Sequence, residues 1–340
     1  MKILFAGTPK IALKTLETLY ESEHDLVGVI CAEEKRSGRG LKFVKSPIRV
    51  FAEEKKIKIF SYDEIKDKKF GPTLEKLNID LLLVFAFGHI ISEELLNVAK
   101  HGSFNIHTSL LPKYRGAAPI QRSIINCDRE TGITFMKMDA GLDTGPIVTS
   151  VKFPIEEGTN TEDLEEIMSD ISSRNILQVI DSIEENTFSL TEQNENESSY
   201  APKVTKDEAR IDWTKSAEEI VGKINGLCPN PCAFSEYKNE RIIIHRAKIN
   251  ALPASDPGKV IKADKKEFLV SGIDQCVEIK ELARQNKKRM EYKSFYNGSK
   301  DFFKFMQFSI NLWCISSHLS SSCQPPISIT AFILQALLSG

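Results

Sequence analysis

Residues 104–112, which read FNIHTSLLP, contain the side chains with the clearest capacity for chemistry in this sequence. They leave an apolar run that predicts a buried strand and enter a loop containing Pro and Gly. Residues two apart in an extended strand share a face, so Asn105 and His107 should project together. Asp143 lies between glycines in residues 141–145, GLDTG, a turn that could direct its carboxylate to the same place. The three side chains would supply an amide donor, a base and a carboxylate at one point.

This set of groups fits acyl transfer to an amine. A free α-amino group titrates near about 7.7 to 8.0, so a modest base suffices to accept its proton. His107 could be that base, Asn105 could hydrogen-bond the oxygen that becomes negative, and Asp143 could orient the imidazole and stabilise its charged form. The residue types are also compatible with purely structural roles. A single histidine can be a packing residue, and the Asp143 side chain could cap its own turn.

Four other histidines lack comparable polar neighbours in the sequence. We interpret them as surface or packing residues: His24, His101, His245 and His318.

The elements that must position these groups follow from hydrophobic periodicity. Short β-rich runs alternate with helical patterns in the first half, which is typical of a doubly wound, mainly parallel Rossmann-like sheet. Strands are predicted at residues 2–6, 26–31, 80–85, 103–106 and 131–137. Helices are predicted at residues 10–20, 46–54, 92–99, 119–125 and 161–185. Asn105 and His107 therefore fall at the carboxyl end of a strand, where open α/β sheets bind ligands.

The length of 340 residues allows two domains. We predict a catalytic domain at residues 1–192, a polar linker at 193–206, and a second domain at 207–304. A helix at 217–227 and several short β-like runs predict that the second domain is a small β-barrel. Residues 305–340 form an atypical tail for which the sequence suggests no physical role.

Charge is balanced overall, with 45 basic and 47 acidic residues, so net charge indicates no partner. Locally it is asymmetric. Residues 33–49 contain six basic and two acidic side chains, residues 284–304 contain seven and two, and residues 156–197 contain thirteen acidic side chains against Arg174 alone. Such an arrangement favours binding of a polyanion on one side of the molecule.

The seven cysteines are scattered. The closest pair, Cys228 and Cys232, has no second pair or histidine cluster at zinc-ligand spacing, so no metal site is expected. A reduced, cytoplasmic protein fits this pattern. The apolar residues 327–338 are interrupted by polar side chains and fall short of the about 20 residues that span a bilayer, so no membrane segment is expected.

Residues 105–112, together with YRGAAPIQR at 114–122 and the GLDTG turn, closely resemble the methionyl-tRNA formyltransferase pattern within the folate-dependent formyltransferases. The resemblance implies that Asn105, His107 and Asp143 are the catalytic set and that 10-formyltetrahydrofolate is the formyl donor. It implies that the segment Ser109, Leu110, Leu111 and Pro112 holds the folate. The strand end VFAFG at 84–88 is similar to the family's pterin-pocket segment, which assigns Phe87 to the same site.

Other members of this group formylate a purine precursor or amino sugars, or hydrolyse the folate, so the acceptor requires separate support. Residues 36–42, RSGRGLK, resemble the family loop that reaches the tRNA acceptor stem. YAPK at 200–203 and EARIDW at 208–213 resemble the junction to a C-terminal OB-like barrel, a fold that often binds nucleic acids. The resemblance thus implies methionyl initiator tRNA as partner, with contacts from Arg36, Arg39, Lys42, Lys287, Lys288 and Arg289. For residues 36–42 and for residues 287–289, the alternative is that the basic side chains are simply exposed to solvent and bind no partner.

The resemblance covers residues 1 to about 304, with two notable departures. LCPNPC at 227–232 replaces a familiar Asn-Pro-Trp-Pro turn and loses its tryptophan, and nothing matches from Met306 onward. The expected protein is a monomeric formyltransferase that needs no metal. A formyltransferase acting on a small amine or sugar, or a folate- or RNA-binding module without turnover, are the alternatives; the presence of all three catalytic side chains speaks against the module.

Overall fold

The computed structural model describes residues 1–33, 35–37, 42–66, 71–238 and 240–298. Arg39 and the tail at 305–340 lie outside these residues. In the part described, no helix is long and apolar enough to cross a membrane.

The first half of the chain forms a seven-stranded sheet and a short hairpin. Its strands are β1 (Lys2–Gly7), β2 (Asp25–Cys31), β3 (Lys35–Ser37), β4 (Lys42–Val44), β5 (Ile59–Ser61), β6 (Leu81–Phe85), β7 (Ser103–His107), β8 (Glu130–Lys137) and β9 (Ile147–Pro154). The sheet order is β5-β2-β1-β6-β7-β8-β9. The first five strands in this order are parallel, and β8 pairs antiparallel with both β7 and β9. This confirms the mainly parallel Rossmann-like fold.

The helices of this half are α1 (Leu13–Glu21), α2 (Pro47–Glu54), α3 (Tyr62–Lys66), α4 (Gly71–Glu75), α5 (Glu93–Leu96), α6 (Pro119–Ile125) and α7 (Thr161–Glu184). Their starts follow local sequence signals. Pro119 occupies the first turn of α6, where its missing N–H costs nothing, and the Asn160 side chain accepts a hydrogen bond from the Asp163 N–H in a capping box at α7. The predicted helix at 92–99 is shorter than expected.

Strand β1 shows why the sheet is covered on both faces. Ile3 and Phe5 pack into a core with α1 and α7, whereas Leu4 and Ala6 pack into a second core on the opposite face. Alternate residues of a strand point to opposite faces, so a continuous apolar run is the expected sequence of such a strand.

The second half contains α8 (Ala217–Gly226), β10 (Ala233–Tyr237), β11 (Glu240–Pro253), β12 (Val260–Ala263), β13 (Phe268–Ser271), β14 (Gln275–Arg284), β15 (Met290–Glu291) and α9 (Tyr292–Gly298). The strands form a six-stranded antiparallel sheet of order β10-β11-β14-β13-β12, with β15 beside β14. The path of paired strands ends at β10 and β12. Closure into a barrel therefore stays a prediction, as do the domain limits.

Candidate active site

Three polar side chains meet beside strand β7. The Asn105 amide donates from Nδ2 to Asp143 Oδ1 over 3.4 Å, and His107 Nδ1 lies 3.6 Å from the same oxygen. The His107 side chain is 6% exposed and that of Asp143 14%. The structure thus brings together the amide, imidazole and carboxylate that the sequence predicts at one point, including the shared strand face of the first two.

A backbone contact determines which nitrogen of His107 is basic. Nε2 lies 2.9 Å from the carbonyl oxygen of Tyr114. A carbonyl can only accept, so Nε2 carries the hydrogen and the neutral ring has its lone pair at Nδ1. That nitrogen faces Asp143. A proton taken up at Nδ1 would form an imidazolium held by the Tyr114 carbonyl on one side and a carboxylate on the other.

The turn that carries Asp143 depends on close backbone approaches. A Cβ on Gly145 would lie 2.0 Å from the Lys137 carbonyl oxygen, so only glycine fits there. Asp143 itself has φ of 56°, a left-handed conformation that aspartate and asparagine tolerate better than most residues. Its Oδ2 accepts from the Gly116 N–H at 2.8 Å. The carboxylate is therefore fixed from the loop after β7 as well as from its own turn.

The loop after β7 is held from within. Ser109 is fully buried, its hydroxyl donates to the Lys113 carbonyl at 2.6 Å, and its own carbonyl accepts from Thr134 Oγ1 at 2.7 Å. Leu111 is also buried, whereas Leu110 and Pro112 are half-buried. Of the predicted folate segment, Ser109 thus shapes the loop, and its hydroxyl is committed to a neighbour in the protein.

Arg115 in the same loop is fully buried and sequence analysis did not single it out. Its guanidinium donates to Gln193 Oε1 at 2.9 and 3.0 Å and to the Glu195 carboxylate at 2.7 and 2.9 Å. This interaction lowers the pKa of Glu195. The Gln193 amide in turn donates to the carbonyls of Asp143 and Gly145 at 2.8 and 2.7 Å. The start of the predicted linker therefore connects both loops of the site.

The backbone of that segment also pairs with the site loop. Arg115 N–H donates to the Ser199 carbonyl at 2.8 Å, and Ala201 N–H donates to the Arg115 carbonyl at 2.7 Å. Tyr114, with φ of 62°, donates from its N–H to Ser199 Oγ at 2.9 Å. A bulky residue with positive φ is strained and requires such support. The polar segment thus fixes the residue whose carbonyl binds His107.

Phe87 lies just beyond the carboxyl end of β6, the strand next to β7. Its ring contacts Tyr62 edge-on, with centroids 5.6 Å apart, and Tyr62 stacks on His89 at 4.0 Å. Phe87 is 4% exposed and packs in the second core of the sheet. The structure therefore places its segment at the predicted edge of the sheet, with the ring turned into that core.

The basic residues predicted to contact tRNA differ in their position, exposure and ion pairs. Arg36 and Lys42 lie in the paired strands β3 and β4, which flank the undescribed Arg39. Lys287 and Lys288 are exposed between β14 and β15. The remaining contact, Arg289, ion-pairs with Glu281 and Glu162. The guanidinium N–H groups of Arg289 are therefore already bonded to side chains of this protein.

Comparison with known proteins gives concordant results. The family model described as "Formyl transferase" matches residues 1–180, and "Formyl transferase, C-terminal domain" matches residues 203–300. The methionyl-tRNA formyltransferase of Pelagibacter ubique is 40% identical over 299 residues, covering 88% of this chain and 96% of the relative. That of Clostridioides difficile is 36% identical over 300 residues, covering 88% and 97%.

Among solved structures, the chain is similar to WlaRD, a sugar 3N-formyl transferase determined in the presence of dTDP and 5-N-formyl-THF. The TM-score is 0.63 at 26% identity, with 85% of this chain and 99% of that chain covered.

Proposed function

The chain belongs to the methionyl-tRNA formyltransferase family, and on that premise we propose that it transfers the formyl group of 10-formyltetrahydrofolate to the α-amino group of methionine carried by initiator tRNA. The product is N-formylmethionyl-tRNA for translation initiation. The observation that carries the proposal is the convergence of Asn105, His107 and Asp143 on one point, in a chain that covers nearly the full length of its relatives.

His107 acts as the base through Nδ1. This nitrogen takes the proton that the methionine amine loses as the amine adds to the formyl carbon, while Nε2 stays bonded to the Tyr114 carbonyl. Asp143, 3.6 Å from Nδ1, balances the positive charge on the ring. The same proton then passes to the folate nitrogen as its bond to the formyl carbon breaks, which returns His107 to its neutral form.

Asn105 stabilises the oxygen of the formyl group. Its amide has two N–H groups, and only one of them can point at Asp143 Oδ1. The other can donate to the oxygen on which negative charge develops. Removing a single such donor typically lowers the rate by about 100- to 1000-fold, so Asn105 should matter nearly as much as His107.

The folate cosubstrate supplies an activated formyl group on nitrogen. The chemistry of the site fits it, because an amide donor and a base stand beside a sheet edge that also carries apolar side chains. We assign its binding to Phe87, Ser109, Leu110, Leu111 and Pro112. Half-buried Leu110 and Pro112 offer contact surface, whereas Ser109 acts by holding the loop in shape. The similarity to WlaRD, whose structure was determined in the presence of a formyl-folate, supports this assignment.

Initiator tRNA is proposed to lie against the basic residues Arg36, Arg39, Lys42, Lys287, Lys288 and Arg289. Exposed Lys287 and Lys288 can reach phosphates directly. Arg289 can contribute only by giving up ion pairs with Glu281 and Glu162, so we expect it to add least. Binding by such contacts releases counterions, and affinity should fall as salt rises. If the affinity for tRNA stays constant as the salt concentration rises, these basic residues do not form the tRNA-binding surface.

An amino-sugar acceptor is the second candidate, since the WlaRD likeness extends over 85% of this chain. The two candidates differ in the acceptor alone. Wild-type protein is incubated with 10-formyltetrahydrofolate and, in parallel, methionyl initiator tRNA, free methionine, uncharged tRNA or an amino-sugar nucleotide. We expect formylation of the charged tRNA only; formylation of the sugar nucleotide with no product from the charged tRNA would reassign the substrate.

The protein is further proposed to act in the cytoplasm, where charged initiator tRNA is used. We also propose that it acts as a monomer.

A further inference from the structure

Two sulfur atoms and one imidazole nitrogen meet at the start of β10. Cys232 Sγ lies 3.4 Å from His245 Nδ1, and Cys228 Sγ lies 4.0 Å from it. All three atoms lie within 4.8 Å of one another. The sequence predicts no metal site and a surface or packing role for His245. In the structure Ala233 of β10 opposes Ile244 of β11, and Cys232 and His245 are the adjacent residues of the two segments.

A candidate fourth ligand, outside the group of three atoms that lie within 4.8 Å of one another, comes from the first half of the chain. Glu162, in the first turn of α7, places Oε2 3.7 Å from Cys228 Sγ. The cysteines are 1% and 7% exposed, whereas the Glu162 side chain is 42% exposed. The cluster is therefore enclosed on its sulfur side and open to solvent at the carboxylate, which provides an entry path for an ion.

Three of the separations are close to those of a tetrahedral zinc site. With Zn–S near 2.3 Å and Zn–N or Zn–O near 2.0 to 2.2 Å, tetrahedral angles place a sulfur about 3.5 to 3.7 Å from a nitrogen or oxygen ligand. The distances of 3.4 and 4.0 Å from the sulfurs to nitrogen, and 3.7 Å from sulfur to oxygen, lie within a few tenths of an ångström of that spacing. Glu162 lies outside the group of three, so its carboxylate must rotate toward Cys232 and His245 to complete the site.

The charges around the cluster suit a dication with anionic ligands. Two thiolates and a carboxylate carry three negative charges, so a bound Zn²⁺ leaves one in excess. The Arg289 guanidinium donates to Cys228 Sγ at 3.6 Å and also to Glu162. It can neutralise that excess and orient both ligands from outside, as outer partners of metal sites do.

The backbone positions two of the ligands in unusual ways. Cys232 has φ of 65°, a left-handed conformation that favours glycine, and a side chain is retained there at a cost in strain. The pairing of β11 with β14 shifts register between Ile244 and Arg246, which places His245 at a bulge. Bulges redirect side chains and are frequent beside functional sites. Both irregularities direct potential ligands to the same point.

We propose that Cys228, Cys232, His245 and Glu162 form a structural zinc site that joins helix α7 to the C-terminal sheet. Binding exchanges two thiol protons, released to solvent, for two Zn–S bonds and involves no electron transfer. The site is separate from the groups proposed for formyl transfer. A disulfide between Cys228 and Cys232 is the competing use of the same sulfurs, and it would require an oxidant that the proposed reaction does not supply.

Metal content of the full-length protein tests the proposal. The protein is purified under reducing conditions without a polyhistidine tag, stripped with chelator and reconstituted with Zn²⁺ alone or with Co²⁺. We expect one ion per chain after dialysis, because four ligands define one site. The cobalt form should show sulfur-to-metal charge transfer and tetrahedral d–d absorption, a readout that needs no variant. Reconstitution should also raise the melting temperature of the stripped protein, since the ion binds the folded state alone.

Variants locate the ion. Cys228→Ser and His245→Gln should lose it, whereas Cys127→Ser, at a cysteine outside the cluster, should keep it. The double variant Cys314→Ser/Cys323→Ser should also keep it, which excludes the cysteines of the tail. Absence of bound zinc in the wild type, retention by Cys228→Ser with the same cobalt spectrum, or a Cys228–Cys232 disulfide in the reduced preparation would each overturn the proposal.

Discussion

Replacing Asp143 by asparagine should slow formyl transfer by removing a charge while leaving the turn intact. Asparagine tolerates the positive φ of this position, and its side-chain oxygen can still accept from the Gly116 N–H. What it cannot do is balance an imidazolium at His107 Nδ1, 3.6 Å away. The variant therefore removes the carboxylate charge and, with it, the oxygen that accepts from the Asn105 amide.

The size of the effect follows from Coulomb's law. Two unit charges 3.6 Å apart interact by about 1 kcal/mol at the dielectric constant of water and about 5 kcal/mol at an effective value of 20. Both side chains are largely buried but not fully, which places the loss between the two figures, at about 3 to 4 kcal/mol. At about 1.4 kcal/mol per factor of ten, we expect the rate of the chemical step to fall about 100- to 1000-fold.

A double-mutant cycle measured by single-turnover formyl transfer tests this reasoning. Asp143→Asn, His107→Ala and the double variant are compared with the wild type at saturating folate and charged tRNA. If the carboxylate acts through the imidazolium, Asp143→Asn should cost much less once His107 is absent, and the remaining loss should be that of the Asn105 contact. An equally large loss in both backgrounds, or an unchanged rate in the single variant, would refute the assigned role. Melting temperatures check that the fold is preserved.

Three further predictions concern the supports of the site and its partner. Gln193→Ala should destabilise the fold by about 1 to 3 kcal/mol and slow transfer, because two carbonyls lose their donor and a buried guanidinium loses an acceptor. Chemical denaturation and single-turnover rates check this. Gln193→Glu keeps the acceptor but turns a carboxylate oxygen toward the two carbonyls, so it should be destabilised as well. The hydrogen bond from Arg122 lowers the pKa of Glu208 to about 2, so its stabilisation is complete above about pH 4.5 and is lost as pH falls toward 2. Because Glu208 is about one-third exposed, Glu208→Gln should remove only about 1 kcal/mol near neutral pH, and the difference from the wild type in urea melts should vanish at acidic pH. Arg39→Ala should weaken use of charged tRNA and leave folate binding unchanged in filter-binding and fluorescence titrations; equal losses would exclude the tRNA assignment of that loop.

Strand β7 and its neighbours were predictable because local signals agree there. The apolar run before His107 gave β7 nearly to the residue, and Pro119 marked the start of α6. The glycines around Asp143 predicted a tight turn. In the structure Gly145 lies so close to the Lys137 carbonyl oxygen that a Cβ would not fit there. Strand β9 escaped prediction because its side chains are half-buried or exposed along the sheet edge, which leaves little apolar periodicity.

Contacts between distant segments could not be predicted. Gln193 belongs to a polar stretch with no apolar residue to bury, so its sequence suggests a linker, yet its amide binds the carbonyls beside Asp143. His245 meets Cys232 only because two strands pair in a particular register. Hydrogen-bond partners far apart in the chain leave no periodic signal, and strand register is specified by the assembled sheet.

The most direct test of the central claim is single-turnover transfer from labelled 10-formyltetrahydrofolate to methionyl initiator tRNA by the wild type and by His107→Ala. We expect labelled N-formylmethionyl-tRNA from the wild type and almost none from a variant that still binds both substrates. Wild-type binding of folate and charged tRNA without transfer, or undiminished transfer by His107→Ala, would contradict it.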